Sequence, residues 1–319
     1  MPQYPSALHT LHISMCPTLT ELPESIGELA ALETLCLLGC GLTALPDSIG
    51  QLTALRRLAL EDCMALTALP DSIGQLTALQ TLTIDGCTAL TALPDSICEL
   101  AALTELTIDA CWGLTALPDG IHQLAALKSL SVGGKGLTVL PDSIGQLAAL
   151  ETLGFYGLQR RIALPNSIRF GQLAALEEFF VRGCGGLDAL PYSIGQLTAL
   201  KTLDIMNCRR LTELPDSICQ LTALETLIVC GCQGLTALPD SIGQLAALRN
   251  LVVRKCEALT ALPESIGQLA ALRKLEVRNC DALTALPASI GQLPALQHIN
   301  IAGTRCTSFS VHGCLVVCQ

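Results

Sequence analysis

The sequence predicts an α/β solenoid, with a parallel β-sheet on its concave face and short 3₁₀ or α turns and loops on its convex face. Three observations predict it. The string "LPDSIGQL" recurs at residues 45–52, 69–76 and 238–245, so the chain is built on a short fixed period. Inside each period a short run alternates leucine-type residues with others, as a strand with one buried face does. A proline followed by Ser-Ile-Gly then ends the extended run.

Aligned on "LxxLxL", full repeats begin at Leu8, Leu32, Leu55, Leu79, Leu103, Leu127, Leu150, Leu176, Leu200, Leu224, Leu248 and Leu272. A truncated repeat starts at Leu296. Most are 24 residues long, two are 23, and the one starting at Leu150 is 26. The expected organisation is one domain over 1–319, with twelve full repeats from Leu8 to Ala295 and a truncated repeat with a C-terminal lid over 296–319.

Each element follows from the consensus "LxxLxLxxCxxLTALPDSIGQLxA". In "LETLCLLGC", residues 32–40, Leu35 and Leu37 alternate with Thr34, Cys36 and Leu38. Such a strand can pair only with the equivalent strand of the next repeat, at a spacing of about 4.8 Å. Thirteen of them predict a curved sheet on the order of 60 Å long. Pro46 fixes its φ, and Ser48 to Gln51 reads as the S-x-x-Q form of a capping box, with Ile49 and Leu52 turned inward. The carboxylates that follow the prolines, Asp47, Asp71 and their equivalents, read as turn-start residues rather than catalytic acids.

The segments "LxxLxLxxC", "LP" and "SIGxL" carry the leucine-rich-repeat signature. Over residues 8 to about 303 the chain resembles the leucine-rich repeats of plants and green algae. These include the sensor arrays of intracellular nucleotide-binding immune receptors and the cytosolic Ras-group repeat proteins. The resemblance implies a binding role in intracellular signalling or immune-type sensing. The likeness to bacterial repeat-bearing ubiquitin ligases stops at the repeats.

Composition narrows the function classes. The chain has 319 residues, 3% aromatic and 14% charged, and net charge −10. Residues 1–126 hold 14 acidic and 2 basic side chains, net −12, and residues 127–319 hold 14 and 16, net +2. That balance argues against nucleic acid, whose phosphates demand a strongly positive face. The apolar runs fall far short of the roughly 20 residues of a membrane span. "MPQYPSALHTLHIS" lacks the pattern of a secretory signal, so a cytoplasmic or nuclear setting is expected.

Of 17 cysteines, ten (Cys16, Cys40, Cys63, Cys87, Cys111, Cys184, Cys208, Cys232, Cys256 and Cys280) follow a strand at one repeat position. They predict a buried ladder of free thiols bonded to backbone at the bend, which fits a reducing compartment. Cys230 and Cys232 form only C-x-C with no histidine nearby, so no metal or other cofactor is expected. No nucleotide-binding loop, metalloprotease or hydrolase motif occurs, and no catalytic residue is assigned.

Function is then expected in positions the fold leaves free. The last outward strand position changes along the chain from Glu61, Asp85 and Asp109, through Tyr156, Arg182 and Met206, to Arg254 and Arg278. Asp62 and Glu105 join the acidic end, Phe180 the middle, and Lys255 and Lys274 the basic end. Tyr156, Phe180, Arg182 and Met206 are of interface-rich types and form the candidate hot spot for a protein partner. The alternative is drift of non-consensus residues onto an exposed face.

The repeat at Leu150 inserts two residues in "LPNSIRFGQL", residues 164–173, and carries Arg160, Arg161, Arg169 and Phe170. These predict a protruding basic and aromatic loop on the convex side, or else a tolerated insertion. The repeat before it replaces the cysteine by Lys135, so the two are expected as a local hinge. A monomer is expected, with end-to-end association through uncapped ends as an option. A self-assembling structural protein and a regulatory subunit docking an enzyme remain the other readings.

Overall fold

Alternating burial builds the strands. Leu35 and Leu37 are fully buried, while Thr34, Cys36 and Leu38 between and beside them face partly outward. A computed structural model describes residues 8–159, 164, 170–306, 308–311 and 314–317. The chain divides into two units, Met1–Gly157 and Leu158–Gln319, and the division falls inside the irregular repeat that begins at Leu150.

In the first unit the strands are β1 (Thr10–Ser14), β2 (Thr34–Leu38), β3 (Arg57–Glu61), β4 (Thr81–Asp85), β5 (Glu105–Asp109), β6 (Ser129–Gly133) and β7 (Thr152–Tyr156). Each pairs in parallel with the next, in a register that sets equal repeat positions side by side, such as Leu82 beside Leu106. In the second unit β8 (Glu178–Arg182), β9 (Thr202–Met206), β10 (Thr226–Cys230), β11 (Asn250–Arg254), β12 (Lys274–Arg278) and β13 (His298–Asn300) repeat the arrangement. An antiparallel hairpin, β14 (Ser308–Val311) and β15 (Cys314–Val317), follows, with β14 beside the turn Ala288–Gln292. It occupies the segment that the sequence assigns to a C-terminal lid.

The returning arms hold single 3₁₀ turns, such as Asp47–Gln51 after Pro46. Ile49 and Leu52 are fully buried, as predicted. The predicted capping box does not form. Pro46 precedes the turn and its carbonyl accepts from the Ile49 N–H at 3.0 Å, without any side-chain cap. Ser48 lies inside the turn, and its buried hydroxyl has no hydrogen-bond partner among the described residues.

Stacking explains the Ser-Ile-Gly string instead. A Cβ placed on Gly27, Gly50 or Gly74 would lie 2.5–2.6 Å from the carbonyl oxygen of Ser48, Ser72 or Ser96 in the following repeat. The turns approach so closely that glycine is favoured on one side and a small residue on the other. Where Cys98 replaces the glycine, the next repeat carries Gly120 in place of serine, and the thiol sits where a Cβ would stand 3.2 Å away. Cys219 makes the same replacement opposite Ser241. There the turn shortens to Ile242–Gln244.

A second constraint acts just after each strand. Asp62, Asn207, Lys255 and Asn279 adopt left-handed backbone, with φ of 51–55°, and Gly86 and Gly231 stand at the equivalent position. Their N–H groups reach across to the next repeat; that of Asp62 donates to Asp85 O at 2.8 Å and that of Lys255 to Arg278 O at 2.8 Å. Asp62 and Lys255 therefore belong to this bend rather than to the strands.

Candidate functional site

The parallel register turns every exposed repeat position into a column of neighbours about 4.8 Å apart. In the first unit Glu61, Asp85 and Asp109 end β3, β4 and β5 side by side, half-exposed. Burial and then the charges of Asp109, Asp62 and Glu61 push the Asp85 carboxyl above its ordinary value. Asp109 relieves part of its charge by accepting from the Ala110 N–H at 2.8 Å.

Tyr156 ends β7, and its ring lies along its own strand over Gly154, where a Cβ would sit 2.4 Å from the ring. That contact leaves it half-buried rather than fully projecting. On the bend side of this unit the Lys135 ammonium sits 4.8 Å from the centroid of the exposed Trp112 ring.

The second unit carries a different device twice. Asp204 stands at the middle of β9 and Glu276 at the middle of β12, both with side chains only 4% exposed. The first unit has Thr83, Thr107 and Ser131 at that position. Each buried carboxylate holds an arginine from the end of the preceding strand. Arg182 bonds Asp204 Oδ2 through Nη2 and, at 3.1 Å, through Nε. Its guanidinium also lies 4.8 Å from the Phe180 ring centroid.

Arg254 donates to Glu276 Oε2 at 2.7 Å, Lys274 approaches the same oxygen at 3.2 Å, and Arg278 reaches Oε1 at 3.5 Å. The Arg254 hydrogen bond, aided by Lys274, holds the Glu276 carboxyl down to about 2, against the opposing effect of its burial. Three cations thus surround one anion. Between the two clusters the middle and last outward columns hold Met206, Ile228, Cys230 and the buried Val252, while the first column holds Thr226 and Asn250, the amide of Asn250 donating to the Thr226 hydroxyl at 3.2 Å.

Of the predicted residues, the structure brings together Glu61, Asp85 and Asp109 in one column, Phe180 and Arg182 in a stacked pair beside Met206, and Arg254 next to Arg278. Phe170 does not protrude. It is fully buried, with its ring centroid 5.6 Å from that of Phe179, because it takes up an inward position in its shortened turn Phe170–Gln172. Arg160, Arg161 and Arg169 lie outside the described residues. Asp204 and Glu276 escaped the sequence reading. A carboxylate in the middle outward column, with arginine at the strand end one repeat earlier, is the signal that finds them.

The cysteine ladder forms as predicted. Cys63 Sγ donates to Leu37 O at 3.6 Å and Cys208 Sγ to Val181 O at 3.5 Å, so each thiol reaches back to the strand of the preceding repeat. Cys40, Cys63, Cys87, Cys111, Cys208, Cys232, Cys256 and Cys280 of the ladder stand outside any disulfide. The hydrogen bond that Cys208 donates to Cys184 pushes its own thiol up to about 12, and burial pushes Cys98 up to about 11. These thiols stay protonated at neutral pH. Among the described residues no cluster of His, Cys, Asp and Glu is arranged to hold a metal, and no helix is long and apolar enough to cross a membrane.

A profile of the leucine-rich repeat region family matches residues 6–108, 60–131 and 181–258. No curated protein matches the chain. Among solved structures, a leucine-rich-repeat protein of Leptospira interrogans is 29% identical, with TM-score 0.66 over 96% of this chain and 81% of its own. The leucine-rich repeat domain of the type III effector XopL is 35% identical, with TM-score 0.57 over 66% of this chain and 73% of its own. The functional domain of InlJ from Listeria monocytogenes, which includes a cysteine ladder, shares the fold at 22% identity and TM-score 0.60, over 95% of this chain and 64% of its own. The repeat register, the 3₁₀ arms and these matches converge on one conclusion: the chain belongs to the leucine-rich-repeat proteins.

Proposed function

We propose that this protein is a non-catalytic module that binds a partner protein through its strand face, with Phe180, Arg182, Met206, Arg254 and Arg278 as the principal contacts. The observation that carries this reading is the pair of buried carboxylates, Asp204 and Glu276, on a sheet face with no further layer over it among the described residues. Removing a carboxylate from water costs several kcal/mol before its partner repays it. Threonine at the same position avoids that cost.

What the carboxylates supply is orientation. Arg182, Arg254 and Arg278 keep 41–42% of their side chains exposed while their guanidinium groups are fixed. A long side chain already ordered loses less entropy on binding, and arginine beside aromatic and methionine side chains is the usual composition of an interface hot spot. The free thiols fit a reducing compartment, in line with a role in intracellular signalling or immune-type sensing.

Photo-crosslinking tests the reading. A benzophenone amino acid placed at Phe180 or Met206 should capture a protein partner in cells, whereas one at the exposed Tyr192 on the arm side should not. Equal capture from all three positions would sink the strand-face reading.

A further inference from the structure

The strand face of the second unit reads as a track of charge and apolar surface with measurable spacing. Arg182 ends β8, then come Met206, Ile228, Cys230 and Val252 on β9 to β11, and Arg254 and Arg278 end β11 and β12. Arg254 and Arg278 are in register on adjacent strands, about 4.8 Å apart. Arg182 lies three strands before Arg254, about 14 Å away. The Nε atoms of Arg254 and Arg278 and the Oδ1 atom of Asp204 are buried without a hydrogen-bond partner among the described residues.

Resting on the protein-binding reading above, we propose that the occupant of this face is an acidic amphipathic α-helix of the partner, lying across β8 to β12. Carboxylates one turn apart on a helix stand about 5–6 Å from each other, which matches the Arg254 to Arg278 spacing. On an extended strand, side chains on one face stand about 6.7 Å apart and miss it. A rise of 1.5 Å per residue turns 14 Å into about three helical turns, so a third carboxylate on the same face meets Arg182. The apolar residues one and two turns in from that carboxylate fall on Met206, Ile228, Cys230 and Val252. Lys274 and the two arginines outnumber Glu276, leaving a local excess of positive charge for the helix to neutralise.

Charge selects a protein over a nucleic acid or a lipid surface. The second unit holds 12 acidic side chains against 14 basic ones, a net charge of only +2, far from the strongly positive face that a polyphosphate demands.

The test is fluorescence anisotropy with the full chain and a labelled alanine-rich helix. The probe carries glutamates at about i, i+11 and i+15, with leucines at about i+4, i+7 and i+8 between them. Binding is expected, weakening about tenfold or more when the same residues are scrambled or when Arg278 is changed by Arg278→Gln. The double variant Arg254→Gln/Glu276→Gln removes a buried charge together with its partner and should weaken binding similarly, with each variant's unfolding curve compared with the parent. No binding of the probe, equal binding of the scrambled helix, or unchanged binding by both variants overturns the proposal. Displacement by RNA or by phosphatidylserine vesicles that bind more tightly, and lose binding in the same variants, overturns it in favour of a phosphate partner. A crosslinked partner at Phe180 or Met206 that presents no acidic helix would overturn this proposal and leave the strand-face reading standing.

Discussion

The two units answer the same geometric problem in opposite ways. In Met1–Gly157 the strand ends stack Glu61, Asp85 and Asp109 with no cation among the group's hydrogen-bond partners in the described residues, and burial together with proximity raises the Asp85 carboxyl. In Leu158–Gln319 the strand ends stack Arg254 beside Arg278, and a buried glutamate beneath them absorbs the repulsion. A parallel ladder in perfect register gives like residues no choice but to meet. The difference teaches that the middle strand position, neutral beside the acidic column and anionic at β9 and β12, decides whether a charged column is strained or locked.

Glu276→Gln attacks the locked column and should have the largest effect. A carboxyl held down to about 2 sets an upper bound of about 3 kcal/mol at neutral pH, and the variant should lose part of it, because water screens the half-exposed cations. Hydrogen exchange should show the loss in peptides from β11 and β12, with β3 to β5 unchanged. Equal protection in variant and parent would mean that the cations solvate independently.

A pH series separates the two units by sign. The stabilisation from Glu276 is complete above the ordinary carboxylate range and is lost as pH falls through about 2. Asp85 behaves in the opposite sense, because a carboxyl raised by folding binds its proton more tightly in the native state. Acidification through its raised value should stabilise the first unit, with the gain complete below the ordinary carboxylate value. Exchange protection measured between neutral pH and about pH 3, corrected for intrinsic rates, should therefore rise at β4 and fall at β12. Parallel changes in both would refute the contrast.

A smaller effect comes from Asp85→Asn, which removes the like charge while keeping the shape. It should stabilise the first unit by about 0.5–1 kcal/mol in urea unfolding at low salt, and the gain should shrink as salt screens the column. The smallest compares the arms. Gly120→Ala sets a Cβ 3.2 Å from the Cys98 thiol, which can swing aside, so the cost should stay near about 1 kcal/mol. Gly50→Ala at 2.5 Å from a backbone oxygen should cost about 2 kcal/mol or more. A thermal melt giving equal losses would show that the turns have room to part.

Most of the scaffold was legible because periodicity reports burial directly. Leu35, Leu37, Ile49 and Leu52 recur at fixed phase, and each is fully buried. The post-strand cysteines recur likewise; their thiols bond backbone at their own bend as expected, and also reach the preceding strand, which was not expected. Reading the arm by a local rule failed: Ser48 looks like a helix cap, yet its place is set by the glycine of the preceding repeat. Phe170 looked exposed because it belongs to an insertion, but in space it fills a core position against Phe179. The binding face was half legible. Arg182, Arg254 and Arg278 stood out as departures from consensus, whereas Asp204 and Glu276 did not, since their meaning lies in a diagonal contact across 22 residues of sequence.

By itself the sequence determined the repeat, the strand direction, the buried leucines and the two charge columns, because each depends only on periodic position and side-chain chemistry. Tertiary structure alone decided which charges are fixed, which glycines cannot be replaced and which irregular residue joins the core. Those outcomes depend on distances between neighbouring repeats, and a one-dimensional period carries the order of the repeats but not the few tenths of an ångström between them.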